Sequence, residues 1–210
     1  MDRSFSTLLD QVLAESGVAI FAMLDLDGKD GNWKMMAEEH FEHGADFLDV
    51  RKSRAHSSRP ESEEEFHSIL EYLADRYPGR LCMLGDQAWP VDERALTSLA
   101  LVRRAHGDEG SQNDLVDQNG TVVVGWSCSS EQSSFSESLA CLKALRREDK
   151  QPGLHLFIPQ PEVEGGARPE GILATQVALA VIEGATLLSV HDVRSAVKAR
   201  DELVKIQHAS

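Results

Sequence analysis

Gly171-Ile172-Leu173-Ala174-Thr175-Gln176-Val177-Ala178-Leu179-Ala180-Val181-Ile182-Glu183-Gly184-Ala185-Thr186-Leu187-Leu188-Ser189-Val190-His191-Asp192-Val193, running on to Ile206, reads as helix, strand, helix. Ile172, Leu173, Val177, Leu179, Ala180 and Ile182 recur with helical spacing, Gly184 stops the helix, and Thr186 to Val190 is short, β-branched and apolar. The strand then delivers Ser189, His191 and Asp192 ahead of a charged closing helix from Arg194 to about Lys205. Polar side chains at the carboxyl end of a strand sit where α/β folds bind ligands. The junction has a second copy near the N-terminus. There His43-Gly44-Ala45-Asp46-Phe47-Leu48-Asp49-Val50 matches Glu183-Gly184-Ala185-Thr186-Leu187-Leu188-Ser189-Val190 in pattern.

The alternation continues through the rest of the chain. Residues 4–15 suit a short amphipathic helix, and Val18 to Leu24 is too continuously apolar for a half-exposed strand, as expected of a parallel sheet covered on both faces. Asp25 to Asn32 reads as a loop, Trp33 to His43 as a helix and Phe47 to Val50 as a second strand feeding a basic loop. A helix from Glu61 to Tyr77 stops at Pro78-Gly79, and Leu81 to Leu84 is a third strand. Pro90 opens a further helix through Ala105. Thr121 to Trp126 reads as a strand, but Gln112 to Val116 is doubtful, because a parallel crossover needs about a dozen residues and only a few intervene. Either Asn119-Gly120 makes a tight hairpin or the first segment is a loop. A Ser-rich stretch leads into a helix ending near Arg147, Leu154 to Ile158 is a strand, and Pro159 to Pro169 is an irregular loop.

The expectation is an α/β fold, a parallel (β/α) barrel of TIM type that is reduced or irregular in the middle, because the strands fall short of eight. An open doubly wound sheet fits the same alternation, although no Gly-x-Gly-x-x-Gly follows the first strand. With 210 residues, 41% of them hydrophobic, one domain spanning 1–210 can bury its own core.

The formal net charge of −14 repels phosphate backbones and anionic lipid, which argues against general nucleic-acid or membrane-surface binding. Cys82, Cys128 and Cys141 form no Cys-x-x-Cys and leave one unpaired whatever is bridged, in keeping with a reducing compartment. No signal peptide shows and no stretch approaches the roughly 20 apolar residues of a membrane span. A cytoplasmic location is expected.

Arg51-Lys52-Ser53-Arg54-Ala55-His56-Ser57-Ser58-Arg59 is a concentrated positive patch in an acidic chain, with guanidinium forks and hydroxyls suited to phosphate, pyrophosphate or carboxylate. The bland reading is a solvated loop balancing Glu61 to Glu65. Asp25-Leu26-Asp27-Gly28-Lys29-Asp30 offers the oxygen ligands Mg²⁺ prefers, without EF-hand spacing, and acidic turns of this kind are common without metal. His40 and His43 could grip zinc beside Glu39 and Glu42, but no third partner has a recognisable spacing and an exposed helical face explains them more simply. Gly125-Trp126-Ser127-Cys128-Ser129 lacks the final Gly of a nucleophile elbow, and a Ser-rich helix cap accounts for it.

Val190-His191-Asp192-Val193, Gly44-Ala45-Asp46-Phe47-Leu48-Asp49-Val50 and Ser57-Ser58-Arg59-Pro60 with the following Glu63-Glu64-Glu65 together resemble dihydropteroate synthases, in the order that family carries its motifs. The resemblance covers about residues 18–77 and 171–206. It implies a TIM barrel that, with Mg²⁺, joins a pterin pyrophosphate to p-aminobenzoate. By motif, it implies that Ser58 and Arg59 lie on the loop closing over p-aminobenzoate and pyrophosphate, and that His191 binds phosphate. It also puts Asp25 where the family's Mg²⁺-ligating asparagine stands, with Asp86 and Asn113 near the pterin pocket. The departures are substantial: Ser189 replaces an arginine that would hold the leaving pyrophosphate, and neither an Asp-Pro-Gly-x-Gly-Phe motif nor a Ser-Arg-Lys lysine is present. Losing several such contacts, each worth about 2 to 4 kcal/mol in comparable sites, costs many orders of magnitude in rate. The resemblance therefore implies a diverged member with weak or lost synthase activity, which binds a pterin or another small anion and pairs with itself or a related synthase. A noncatalytic partner and a Mg²⁺-dependent enzyme on another phosphorylated substrate are the alternatives.

Overall fold

The computed structural model describes residues 4–26, 32–52, 61–82, 103–104, 115–116, 122–124, 126–127, 134–147, 154–158 and 171–209. Its helices are α1 (Phe5–Ser16), α2 (Trp33–Glu42), α3 (Glu61–Arg76), α4 (Phe135–Arg147), α5 (Ile172–Ile182) and α6 (Val193–His208). Its strands are β1 (Ala19–Leu26), β2 (Phe47–Lys52), β3 (Leu81–Cys82), β4 (Arg103–Arg104), β5 (Leu115–Val116), β6 (Val122–Val124), β7 (Trp126–Ser127), β8 (Leu154–Phe157) and β9 (Leu187–Val190). A six-stranded sheet runs β3-β2-β1-β9-β8-β7, all of its pairs parallel. Among the described residues it does not close on itself, in keeping with a reduced barrel.

The irregular middle has a physical cause. β4, β5 and β6 form a separate antiparallel sheet, because the short interval between β5 and β6 allows a hairpin and not a crossover. Two expectations change here. Of the helix expected from Pro90 to Ala105 only Arg103–Arg104 lies within the described residues, and there the chain is a strand; the strand expected over Thr121 to Trp126 divides between the two sheets as β6 and β7.

Alternation along the strands assigns two faces. Ile20, Ala22, Leu24, Leu48, Val50, Leu188 and Val190 point outward into the core formed with the surrounding helices, including Ala37, Leu70, Leu142, Val177 and Ala196. Phe21, Phe47 and Leu187 point inward, where Phe5 and Leu9 of α1 pack on them and plug the amino-terminal end. Phe21 and Phe47 stack with centroids 4.9 Å apart, and Phe5 meets Phe47 at 4.8 Å. Burying each of these rings contributes about 1.5 to 3 kcal/mol. α1 begins where Ser4 accepts from the Thr7 amide and ends at left-handed Gly17, whose N–H reaches the Leu13 carbonyl.

The two ends of the chain are fastened at this same level. Asp46 Oδ2 accepts from the Ile20 amide at 2.8 Å and from Arg200 Nη1 at 2.6 Å, tying β1, the start of β2 and α6 together. Burial pushes the Asp46 carboxyl above its ordinary value, against the pull of Arg200. Ser134 and Glu137 cap α4 reciprocally, the Ser134 amide donating to Glu137 Oε2 at 2.8 Å and the Glu137 amide to Ser134 Oγ at 3.3 Å.

Candidate functional site

β1 and β2 run further than their sequences suggest, and this builds the site. Asp25 belongs to β1 rather than to a loop, and Arg51 and Lys52 belong to β2. In the parallel register Phe21 lies beside Phe47, Met23 beside Asp49 and Asp25 beside Arg51. All are inward positions, so the interior climbs from an apolar floor through Met23 and Asp49 to a charged rim. On the other side of β1, Phe21 pairs with Ser189 and Ala22 with Val190, which puts His191, one residue past β9, at the level of Met23, from where its side chain reaches toward Asp25. Asp25 Oδ2 and His191 Nδ1 are 3.9 Å apart, within ion-pair reach when the imidazole is protonated. Both side chains remain accessible from the carboxyl-terminal mouth, Asp25 at 45% and His191 at 27% exposure.

Beneath them Asp49 is fully buried and Ser189 with it. Arg51 Nε donates to Asp49 Oδ2 at 2.9 Å, Nη2 donates to the same oxygen, and the arginine is only 10% exposed. A buried carboxylate alone would carry a large desolvation cost; the guanidinium offsets it with charge-assisted hydrogen bonds. Asp192 caps α6 by accepting from the Ser195 amide at 3.1 Å, a use that belongs to the scaffold.

His40 stands behind the rim. It is half-buried, with Nε2 enclosed and without a hydrogen-bond partner, which corrects the expectation of an exposed helical face. Burial pushes its pKa down; Glu39 and the Met23 backbone pull the other way, while His43 and His191 add to the lowering. Among the described residues no three His, Cys, Asp or Glu side chains converge as a metal cage. Asp25 nevertheless fits a single Mg²⁺ contact, because Mg²⁺ commonly takes one or two protein carboxylates and fills its remaining positions with water and ligand phosphate.

Of the residues singled out from sequence, Asp25 and His191 are brought together. Ser58, Arg59, Asp86 and Asn113 lie outside the described residues. Asp49 is the addition, and Arg51, read from the sequence only as part of the basic patch, is placed with it. Their signal was period-two alternation: once Phe47 is inward, so are Asp49 and Arg51, while Leu48 and Val50 face the helices.

A parallel sheet flanked by helices, plugged at its amino end and polar at its carboxyl mouth, is the arrangement of barrel-type ligand-binding proteins. The chain has the fold of dihydropteroate synthases. It is similar to the synthase from Coxiella burnetii in complex with pteroic acid (TM-score 0.62, 14% identity, 92% of this chain and 94% of that one). The synthase from Xanthomonas albilineans with 4-aminobenzoic acid is similar at TM-score 0.60 and 16% identity, and DHPS from Yersinia pestis with a pterine-sulfa conjugate at 0.59 and 15%, each over 92% of this chain and 94% of the other. No protein-family model and no curated protein matches the sequence.

Proposed function

We propose that this protein is a diverged dihydropteroate-synthase-like barrel that binds a small anionic ligand, a pterin pyrophosphate or a relative, at its carboxyl-terminal mouth, with weak or lost synthase activity. The meeting of Asp25 and His191 at that mouth carries the reading, because they come from opposite ends of the chain and converge where this fold binds ligands. His191 would donate to a phosphate oxygen, and Asp25 would hold Mg²⁺, which supplies charge neutralisation for a bound pyrophosphate. The solved proteins of similar fold bound to pteroic acid and 4-aminobenzoic acid support the ligand class. Ser58, Arg59, Asp86 and Asn113 complete the proposed binding set. A buried free thiol at Cys82 is in keeping with a reducing cytoplasm. No described helix is long and apolar enough to cross a membrane.

The test is thermal unfolding with MgCl₂ and pyrophosphate, with and without a pterin and p-aminobenzoate. Ligand at 100 times its dissociation constant adds about 2.7 kcal/mol. Loss of the pterin-dependent shift in both Asp25→Asn and His191→Ala supports the site; no shift in the unsubstituted protein sinks the reading. A second reading, a noncatalytic partner acting through its own dimer, is favoured by the apolar stripe Ile172, Leu179 and Ile182 exposed on α5. Light scattering on Leu179→Lys decides it: a dimer that becomes a monomer supports pairing, and a monomer before substitution removes it.

A further inference from the structure

We propose that Trp33 and Tyr72 form a binding site for a quaternary ammonium head group on the exposed side of α2 and α3, a site that Lys34 fills in the ligand's absence. It is independent of the mouth, because these helices pack on the outward face of the sheet. Trp33 opens α2 and Tyr72 lies in the last part of α3, so the two walls come from elements separated by β2. Their ring centroids are 5.3 Å apart and their planes meet at 78°, a corner rather than a stack. Lys34 Nζ stands in that corner, 4.4 Å from the Tyr72 centroid and 5.1 Å from that of Trp33. Both separations are within the range at which an aromatic face attracts a cation. The corner already holds an ammonium, and the one it holds is the chain's own.

The walls are held and the occupant is not. Trp33 packs against the core between helices and sheet, and Tyr72 is carried beside the fully buried Leu73. Tyr72 itself is 40% exposed, and Lys34 is exposed on a flexible stem. A primary ammonium that swings out recovers strong hydration, so water competes well for it. A quaternary ammonium has no N–H to hydrate; it loses less on leaving water and keeps the attraction of both rings. Methyl carbons touching a ring at about 3.5 to 4.0 Å put the nitrogen about 4 to 5 Å away, the separation that Lys34 Nζ keeps. The surrounding charge selects the sign of the ligand. The chain carries −14, and the exposed Glu38 and Asp75 stand one helical turn beyond Lys34 and Tyr72. This field favours a cation and penalises a zwitterion that brings its own carboxylate. Further along the same two helices Phe41 and Tyr77 meet at only 36°, with Arg80 and Arg76 over their faces, and make no such corner.

NMR titration of the isotope-labelled full chain with choline chloride tests this, following the Trp33 indole N–H, which is assigned by its loss in Trp33→Phe. Sodium chloride at matched ionic strength and the neutral tert-butyl isostere of choline are the controls. The Trp33 signal should move saturably with choline up to about 50 mM, the range of a millimolar site, and with neither control. Lys34→Ala, which empties the corner, should bind choline about threefold more tightly or better. Tyr72→Leu, apolar at an exposed position, should weaken binding about fivefold or more, with circular dichroism to establish folding. Glycine betaine should bind more weakly than choline. Trimethyl-lysine amide is titrated beside them: preference for it assigns the head group to a modified side chain of another protein, and preference for choline assigns it to a free small molecule. Equal shifts with the neutral isostere overturn the site, as does choline affinity unchanged in folded Tyr72→Leu. No gain in Lys34→Ala overturns it too, and so does the lack of a saturable shift in both the unsubstituted protein and Lys34→Ala. None of these outcomes alters the reading of the mouth, which is tested by its own ligands.

Discussion

The two repeated units flank β1 and share one scaffold. In the first, the Gly44 amide bonds the Phe41 carbonyl at 3.0 Å and the Ala45 amide bonds the His40 carbonyl at 3.0 Å. In the second, Gly184 reaches Val181 at 3.0 Å and Ala185 reaches Ala180 at 2.9 Å. Both are Schellman endings with a glycine at positive φ, +90° and +97°. The outward pairs are matched as well: Leu48 with Leu188, Val50 with Val190. The inward pairs diverge with height, from Phe47 and Leu187, through Asp49 and Ser189, to Arg51 and His191. Positions facing helices are constrained by packing and those facing the interior are less so, and the unit keeps its turn while changing what it presents to the interior.

The largest effect should come from the middle layer. Asp49→Ala leaves Arg51 in the interior without the carboxylate that compensates it, and a broken buried pair costs about 3 to 5 kcal/mol. Its counterpart Ser189→Ala removes a neutral hydroxyl, costing about 1 kcal/mol. Urea unfolding of both variants checks the contrast, and equal losses would break the claim that the two units differ in kind at this level.

The shared turn comes next. At Gly44 an added Cβ would lie 3.2 Å from Val197 Cγ1, in a backbone conformation that L side chains rarely adopt. Gly44→Ala should therefore cost about 1 to 2 kcal/mol. Gly184→Ala, at nearly the same φ, should cost a comparable amount if the units are structurally one device. Denaturation midpoints for the pair sharpen the comparison: a tolerant Gly184 would mean that the contact with Val197, and not the turn, matters at Gly44.

Much of this scaffold was legible in the chain. The Gly-Ala junctions, the apolar run of β1 and the helical spacing of α5 all follow from local rules, and the parallel sheet follows from their alternation. Asp25 and His191 were legible through resemblance. Arg51 was visible only as part of a basic stretch, because its role depends on β2 continuing past Val50 and on Asp49 lying beneath it. The end of a strand in a parallel sheet is set by the neighbour it pairs with, here β1 through Leu26, and that partner is remote from the local pattern. The divided strand at Val122–Val124 and Trp126–Ser127 escaped for the same reason, since which sheet each piece joins is decided by its partners.

The smallest effect belongs to His40, whose counterpart in the second unit is Ala180. Burial lowers its folded pKa, so in the window from about pH 6.5 down to the folded value the unfolded chain binds the proton more readily. Stability then rises with pH across that window and is lost as pH falls through it. The charge that would form in the native state meets the buried, unpartnered Nε2 side of the ring, with His43 and His191 opposing it and only Glu39 and the Met23 backbone in its favour. His40→Gln, which carries no ionisable group, should flatten the change in urea midpoint between about pH 7.5 and pH 5.5. The first unit would then behave like the second, where an alanine fills the equivalent place. An acid-side loss as steep in His40→Gln as in the unsubstituted protein would sink this assignment and move the sensitivity to a group in the mouth, with His191 the next substitution to make.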